Sequence, residues 1–139
     1  MGTVSRLRAA RGPAELGRPA AGLKPAQLGK EGERAAAEFL RKRGYEVVGA
    51  GFLARRGELD LVCMRRGELV VVEVKTRAGD GFGTPLEAVG TKKRRSLMAA
   101  AAEYRALAEW RGPIRFAVVG VSLRRDGSLE VELIDNPFQ

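Results

Sequence analysis

Hydrophobic residues recur at helical spacing from residue 28 onward, and their period predicts a first helix over residues 28–43. The residues that share its apolar face are Leu28, Ala35, Ala36, Phe39 and Leu40. Three basic residues and then Gly44 follow this face. Because cations offset the dipole at a helix C-terminus and glycine accepts the turn that ends a helix, the helix is expected to end there.

Shorter runs rich in valine and leucine, bounded by glycine and charged turns, predict β-strands. They span residues 45–53, 57–64, 69–75, 116–123 and 129–134. Between the third and fourth strands, Thr84-Pro85-Leu86-Glu87 predicts a helix start. Gly90 should kink or divide that helix, and its main part is expected over residues 91–110. The order α-β-β-β-α-β-β predicts one α/β domain over residues 28–139, with helices flanking a mixed sheet of about five strands.

Residues 1–27 show neither period and mix glycine, proline, alanine and arginine, so they are expected to form a disordered basic extension. With Leu28 this segment carries half of the formal net charge of +8. Such a charge attracts phosphate backbones without reading their sequence, although it would equally suit a solvated leader.

Composition narrows the chemistry that the chain can perform. It contains no histidine and a single cysteine, Cys63, which excludes imidazole catalysis, an intrachain disulfide and a Cys/His zinc site. Cys63 alternates onto the apolar side of its strand and is expected in the core. A lone thiol and the lack of any apolar run near the roughly 20 residues that span a bilayer favour a cytoplasmic protein with no membrane partner.

The candidate chemistry lies on two adjacent predicted strands. Alternation places Glu73 and Lys75 on one face of the third strand. A hairpin centred on the Arg66-Gly67 turn would set Asp60 opposite Glu73 and Glu58 opposite Lys75. Residues paired in this way have Cβ atoms about 5 Å apart, so the two carboxylates would converge, whereas a slip of one residue would separate them.

Two converging carboxylates repel each other and need a shared proton, a lysine or a divalent cation. Because the available ligands are oxygens, the ion that suits them is Mg²⁺ or Mn²⁺. Asp60 and Glu73 would bind it, with the Val74 carbonyl as a further ligand. The alternative is an exposed, charged sheet face on which Lys75 forms surface ion pairs with Asp60 or Glu58.

Other charged residues are candidates to join this site. Glu33 lies at the edge of the apolar face of the first helix, where a solvated glutamate is the alternative interpretation. Lys93 heads the buried stripe of the second helix, whereas Lys92 and Arg94 point elsewhere, and Arg77 continues the face of the third strand toward a phosphate. A basic run in the first turns of a helix opposes its dipole, so anionic ligands explain it better than helix stability does, and an ordinary solvated charge run is the alternative interpretation.

Several motifs share one order and spacing across residues 28–139. They are Gly29-x-x-x-Glu33, GELD, VEVKTR, Phe82-Gly83-x-Pro85-Leu86-Glu87-Ala88-Val89, Lys93 and Arg115-Phe116. In these motifs the chain resembles the YraN-like family of small uncharacterised bacterial proteins. That family in turn resembles the PD-(D/E)xK nuclease superfamily, with its restriction-endonuclease-like fold, and the archaeal Holliday-junction resolvases in particular.

The resemblance implies a Mg²⁺- or Mn²⁺-dependent endonuclease-like protein that hydrolyses phosphodiester bonds of DNA. Asp60 and Glu73 match metal ligands, Lys75 the catalytic lysine, Glu33 an acidic residue of the first helix, and Lys93 a lysine recurrent in the family. Cutting a junction would require a homodimer. The alternatives are a nucleic-acid-binding module of nuclease fold with little or no catalysis, and a partner-binding protein whose basic surface is incidental.

Overall fold

The computed structural model describes residues 3–8, 25–79, 89–135 and 137. Its elements are β1 (Thr3–Arg8), α1 (Pro25–Lys42), β2 (Glu46–Leu53), β3 (Glu58–Arg65), β4 (Glu68–Ala78), α2 (Thr91–Ala108), β5 (Ile114–Leu123) and β6 (Leu129–Asp135). The predicted order of two helices and five strands is confirmed. Within the described ranges, no helix is both long and apolar enough to cross a membrane.

The strands form one six-stranded sheet in the order β1-β6-β5-β4-β3-β2. The β4–β5 pair is parallel and all other neighbours are antiparallel, so the predicted mixed sheet is confirmed. Helix α1 packs on one face and α2 on the other, and each face has its own apolar core. The α1 core includes Phe39, Leu40, Cys63, Val70 and Val72, and the α2 core includes Val62, Val71, Leu97, Ala101 and Val118.

The predicted register of the β3–β4 hairpin is confirmed along five residue pairs, from Arg65–Glu68 to Leu61–Val72. Arg66 and Gly67 form the turn with φ of 52° and 78°. Two successive positive φ values are typical of the two-residue turns whose twist matches that of a hairpin. Because such a turn fixes the register, its position in the sequence was enough to align the two strands.

The pairing of β3 with β4 ends at Leu61 and Val72, one residue before the candidate carboxylates. Leu59 is buried in the α2 core, whereas Leu61 belongs to the α1 core, so the alternation of β3 shifts between them. The predicted pairs Asp60–Glu73 and Glu58–Lys75 therefore lie beyond the last paired residues of β3 and β4 and are not formed as backbone pairs. On its other side, Glu58 pairs with Leu53 of β2. Beyond Leu61 and Val72 the backbones of β3 and β4 are therefore no longer paired.

The prediction that residues 1–27 are disordered is wrong for Thr3–Arg8, which form β1 along the outer edge of β6. An edge strand offers unpaired N–H and C=O groups, and another segment can pair with them whatever its side-chain pattern. Helix α1 also begins at Pro25 rather than at residue 28. Proline is accepted in the first turn because the N–H that it lacks would have no partner there.

Helix α2 begins directly after Gly90, which is its N-cap, at the position predicted for the main part of this helix. Its predicted main part is confirmed within two residues at its C-terminal end. The predicted helix start at Thr84-Pro85-Leu86-Glu87 lies outside the described residues. Cys63 is fully buried, as predicted, and burial raises the pKa of its thiol to about 11.

Candidate metal centre

The two candidate carboxylates lie where β3 and β4 separate. The Val74 N–H donates a 2.8 Å hydrogen bond to Asp60 Oδ2. This bond from the backbone of β4 to a side chain of β3 continues the contact between the strands beyond their last paired residues. It turns the Asp60 carboxylate toward β4, beside Glu73.

Glu73 is the most deeply buried member of the site, with a relative exposure of 3%. Its Oε2 lies 3.2 Å from Lys93 Nζ and 3.6 Å from Lys75 Nζ. Its Oε1 is also buried and receives no hydrogen bond from the part of the chain that the structure describes. Burying a carboxylate costs free energy unless both of its oxygens have polar or charged partners. In Glu73 the two lysines stabilise Oε2, and Oε1 can accept a further ligand.

Burial and the nearby Glu73 carboxylate raise the pKa of Asp60 from 3.8 to about 6. The Val74 N–H and the Lys93 ammonium act in the opposite direction but do not cancel this rise. A protonated Asp60 could donate a hydrogen bond to Glu73, and this contact raises the pKa further. The two carboxylates therefore face each other as predicted, and a cation between them would relieve their repulsion.

Glu33 approaches the same site from α1. Burial raises the pKa of Glu33, and the charges of Asp60 and Glu58 raise it further. Its side chain is half-buried. Among the described residues no three His, Cys, Asp or Glu side chains are grouped closely enough to hold a metal ion, so Glu33 does not complete a three-carboxylate cluster with Asp60 and Glu73. Of the two interpretations of Glu33, the structure supports a place beside the carboxylates.

A close contact between α1 and β4 brings Glu33 there. A Cβ atom placed on Gly32 would overlap the side chain of Thr76, so only glycine allows the helix to approach this strand so closely. Sequence analysis missed the role of Gly32. The available signal was a glycine inside a helical pattern, which costs helix stability and usually has a packing reason.

Of the basic residues predicted to contact phosphate, one contacts the carboxylates and the others lie elsewhere on α2 and β4. Lys93 binds Glu73 from the first turn of α2, as its place on the buried stripe predicted. Lys92 and Arg94 are exposed on the same helix. Arg77 lies two residues beyond Lys75 on β4, half-buried and in register with Ser122 of β5.

This set of groups can perform a limited range of chemistry. Asp60 and Glu73 offer oxygen ligands, the Val74 carbonyl is adjacent in sequence, and Lys75 and Lys93 supply positive charge at the same place. Such a set fits Mg²⁺ or Mn²⁺, because Mg²⁺ is usually bound by one or two carboxylates and keeps several waters. Glu73 Oε1, which is buried and has no hydrogen-bond partner among the described residues, is the atom that most directly suits such a cation.

Comparison with known sequences shows what the chain is related to. Residues 32–121 match the family described as "Uncharacterised protein family UPF0102". A UPF0102 protein of Symbiobacterium thermophilum is 46% identical over 113 residues, which cover 81% of this chain and 96% of that protein. One from Clavibacter michiganensis is 46% identical over 108 residues, covering 77% and 92%. The chain therefore belongs to the UPF0102 family, the YraN-like family that its motifs indicated.

Proposed function

We propose that this protein is a metal-dependent endonuclease that hydrolyses phosphodiester bonds in DNA. The observation that carries the proposal is the pair Asp60 and Glu73. Glu73 is buried, its Oε2 lies near two lysines, and its Oε1 has no hydrogen-bond partner among the described residues. Burying contacting carboxylates and lysines contributes less to folding stability than burying apolar side chains would. These charged side chains suit a site that takes a cation on one side and an anion on the other.

Asp60 and Glu73 would hold the cation, with the Val74 carbonyl as a further ligand. When bound, Mg²⁺ or Mn²⁺ would lower the pKa of a coordinated water and offset charge on the scissile phosphate. The Val74 N–H holds Asp60 Oδ2 at 2.8 Å and so fixes the orientation of this carboxylate beside Glu73. Glu33, half-buried at the edge of the site, would accept a hydrogen bond from a water molecule.

The lysines would act on the phosphate. Lys75 is about two-thirds buried, so its ammonium is held close to the carboxylates, where it would orient the attacking water or stabilise charge that develops on the phosphate. The Lys93 side chain is somewhat more exposed, at 39%, and its Nζ lies 3.2 Å from Glu73 Oε2. It would contact the phosphate backbone that enters the site.

The direct test is incubation of the protein with linear, flapped and branched DNA over a range of Mg²⁺ and Mn²⁺ concentrations. We expect metal-dependent cleavage by the native chain and its loss in Glu73→Gln, which keeps the side chain's shape and removes its charge. Glu46→Gln, an exposed acid at the start of β2, is the matched control and should cleave normally. Equal cleavage by the native chain and Glu73→Gln, or none by either, would overturn the proposal.

A second candidate function is nucleic-acid binding without efficient hydrolysis. It is favoured by the two lysines on Glu73, which already neutralise much of that carboxylate without a metal. DNA binding that needs no metal, together with no cleavage of any of these substrates, would identify this function instead.

A further inference from the structure

We infer that the turn between β2 and β3 and the first turn of α2 form one surface that binds the phosphate backbone of DNA beside the carboxylates. The turn comprises residues 54–57 and carries Arg55 and Arg56, and we call it the arginine turn. This inference rests on the proposed function for its substrate. It adds a second set of contacts that the motifs did not indicate.

The arginine turn is fixed against α2 rather than projecting freely. The Ala54 N–H donates a 2.8 Å hydrogen bond to the Gly57 carbonyl and closes the turn. The Arg55 N–H donates a 3.0 Å hydrogen bond to Glu103 Oε2 of α2. At the other end of the turn, a Cβ on Gly57 would lie 3.3 Å from Ser96, so backbone and helix are in close contact. Both arginine side chains remain exposed.

The basic residues of α2 continue this surface toward the site. Lys92 precedes Ser96 by four residues, so it lies on the side of the helix that meets the arginine turn. The next residue, Lys93, reaches Glu73. Positive charge therefore runs from Arg55 and Arg56 through Lys92 to the lysine at the carboxylates.

Apart from Lys93, the side chains that carry this charge form no ion pair within the described part of the chain, and the Glu103 carboxylate contacts the Arg55 backbone rather than its side chain. The side chains of Arg55, Arg56 and Lys92 form no ion pair there, and the first turn of α2 contains no acidic residue and no side-chain cap. Cations at a helix N-terminus oppose the helix dipole, so this arrangement slightly destabilises the free protein. A polyanion would remove that cost, and a phosphate backbone supplies its charges in a row.

The distances suit a single DNA strand that contacts both places. Arg56 is four residues before Asp60, which at about 3.3 Å per residue is at most about 13 Å along the chain. Phosphates of one strand of duplex DNA rise by about 3.4 Å each, so only a few nucleotides separate the arginine turn from the carboxylates.

The test compares two double variants of the full chain that lose the same charge. Arg55→Gln/Arg56→Gln removes the arginine turn, and Lys42→Gln/Arg111→Gln removes two exposed cations beyond the opposite end of the sheet. Binding to a short mixed-sequence duplex is measured in EDTA, so that no cleavage occurs, over a series of salt concentrations. Each phosphate contact contributes about 0.9 to the slope of log affinity against log salt.

We expect the arginine-turn variant to bind more weakly and its slope to be about 1.8 less steep, while the control keeps the native slope. An unchanged slope in the arginine-turn variant, or an equal change in both variants, would overturn the inference. A native chain that binds no duplex would overturn it together with the proposed substrate. The expected slopes combined with no cleavage in Mg²⁺ or Mn²⁺ would support this surface and count against the proposed hydrolysis alone.

Discussion

The two ends of the β3–β4 hairpin both carry ion pairs, but in different surroundings. At the turn end, the Arg115 guanidinium lies 3.2 Å from Glu68 and 3.8 Å from Asp135, and these carboxylates are 31% and 25% exposed. At the open end, Glu73 is 3% exposed and is shared by two lysines. Water helps to solvate the Arg115 and Glu68 side chains, although Asp135 Oδ1 is itself buried, whereas Glu73 depends almost wholly on its neighbours.

This difference indicates that similar ion pairs can have different roles within one sheet. The turn end lies where the strands are fully paired, and its ion pairs connect the ends of β4, β5 and β6. The open end lies where pairing has stopped and where two carboxylates approach each other, with the pKa of Asp60 raised to about 6. Repulsion between two buried carboxylates is typical of sites where a bound cation offsets it, and this is the basis of our functional proposal.

The largest effect should come from removing the cations at each end in turn. Lys75→Met/Lys93→Met leaves Glu73 buried and unpaired, and we expect a loss of about 3 kcal/mol in the free energy of unfolding. Arg115→Met removes a partly exposed pair and should cost about 1 kcal/mol or less. Urea unfolding of both variants without metal measures the contrast, and equal losses would show that the two ends do not differ.

A second, smaller effect is expected from Gly32→Ala. The added methyl group overlaps Thr76 and must push α1 away from β4, which should cost about 1–3 kcal/mol. The movement would also carry Glu33 away from Asp60. Gly29→Ala is the matched control, since a Cβ there meets nothing within 4 Å, and thermal unfolding should leave it as stable as the native chain or more so. Similar behaviour of the two variants would contradict the close contact.

The smallest effect concerns pH. The pKa of Asp60 is about 6 in the folded protein and near 3.8 when unfolded, so the folded state binds this proton more tightly. Its contribution to stability is therefore greatest below pH 4 and is lost as the pH rises toward 6 and above. Asp60→Asn lacks this dependence, so relative to it the native chain should lose about 1–2 kcal/mol between pH 4 and pH 7. A constant difference across this range would show that Asp60 ionises normally.

Sequence predicted most where one local feature decides the structure. The Arg66-Gly67 turn fixed the register of two strands, and the stripe of α2 singled out Lys93 as the residue that reaches Glu73. It failed where the outcome depends on contacts remote in sequence. The pairing of β3 with β4 stops before Asp60, whose side chain accepts a hydrogen bond from the Val74 N–H instead, and β1 depends on the free edge of β6.

The central claim, that Asp60 and Glu73 bind a divalent cation, is tested most directly by calorimetric titration of the native chain with Mn²⁺ at pH 7. We predict one site that is lost in both Asp60→Asn and Glu73→Gln and is kept in Glu68→Gln at the turn end of the hairpin. The native chain should also gain thermal stability with Mn²⁺, because the cation binds only the folded state. Binding of Mn²⁺ with unchanged affinity by Asp60→Asn or Glu73→Gln would contradict the account.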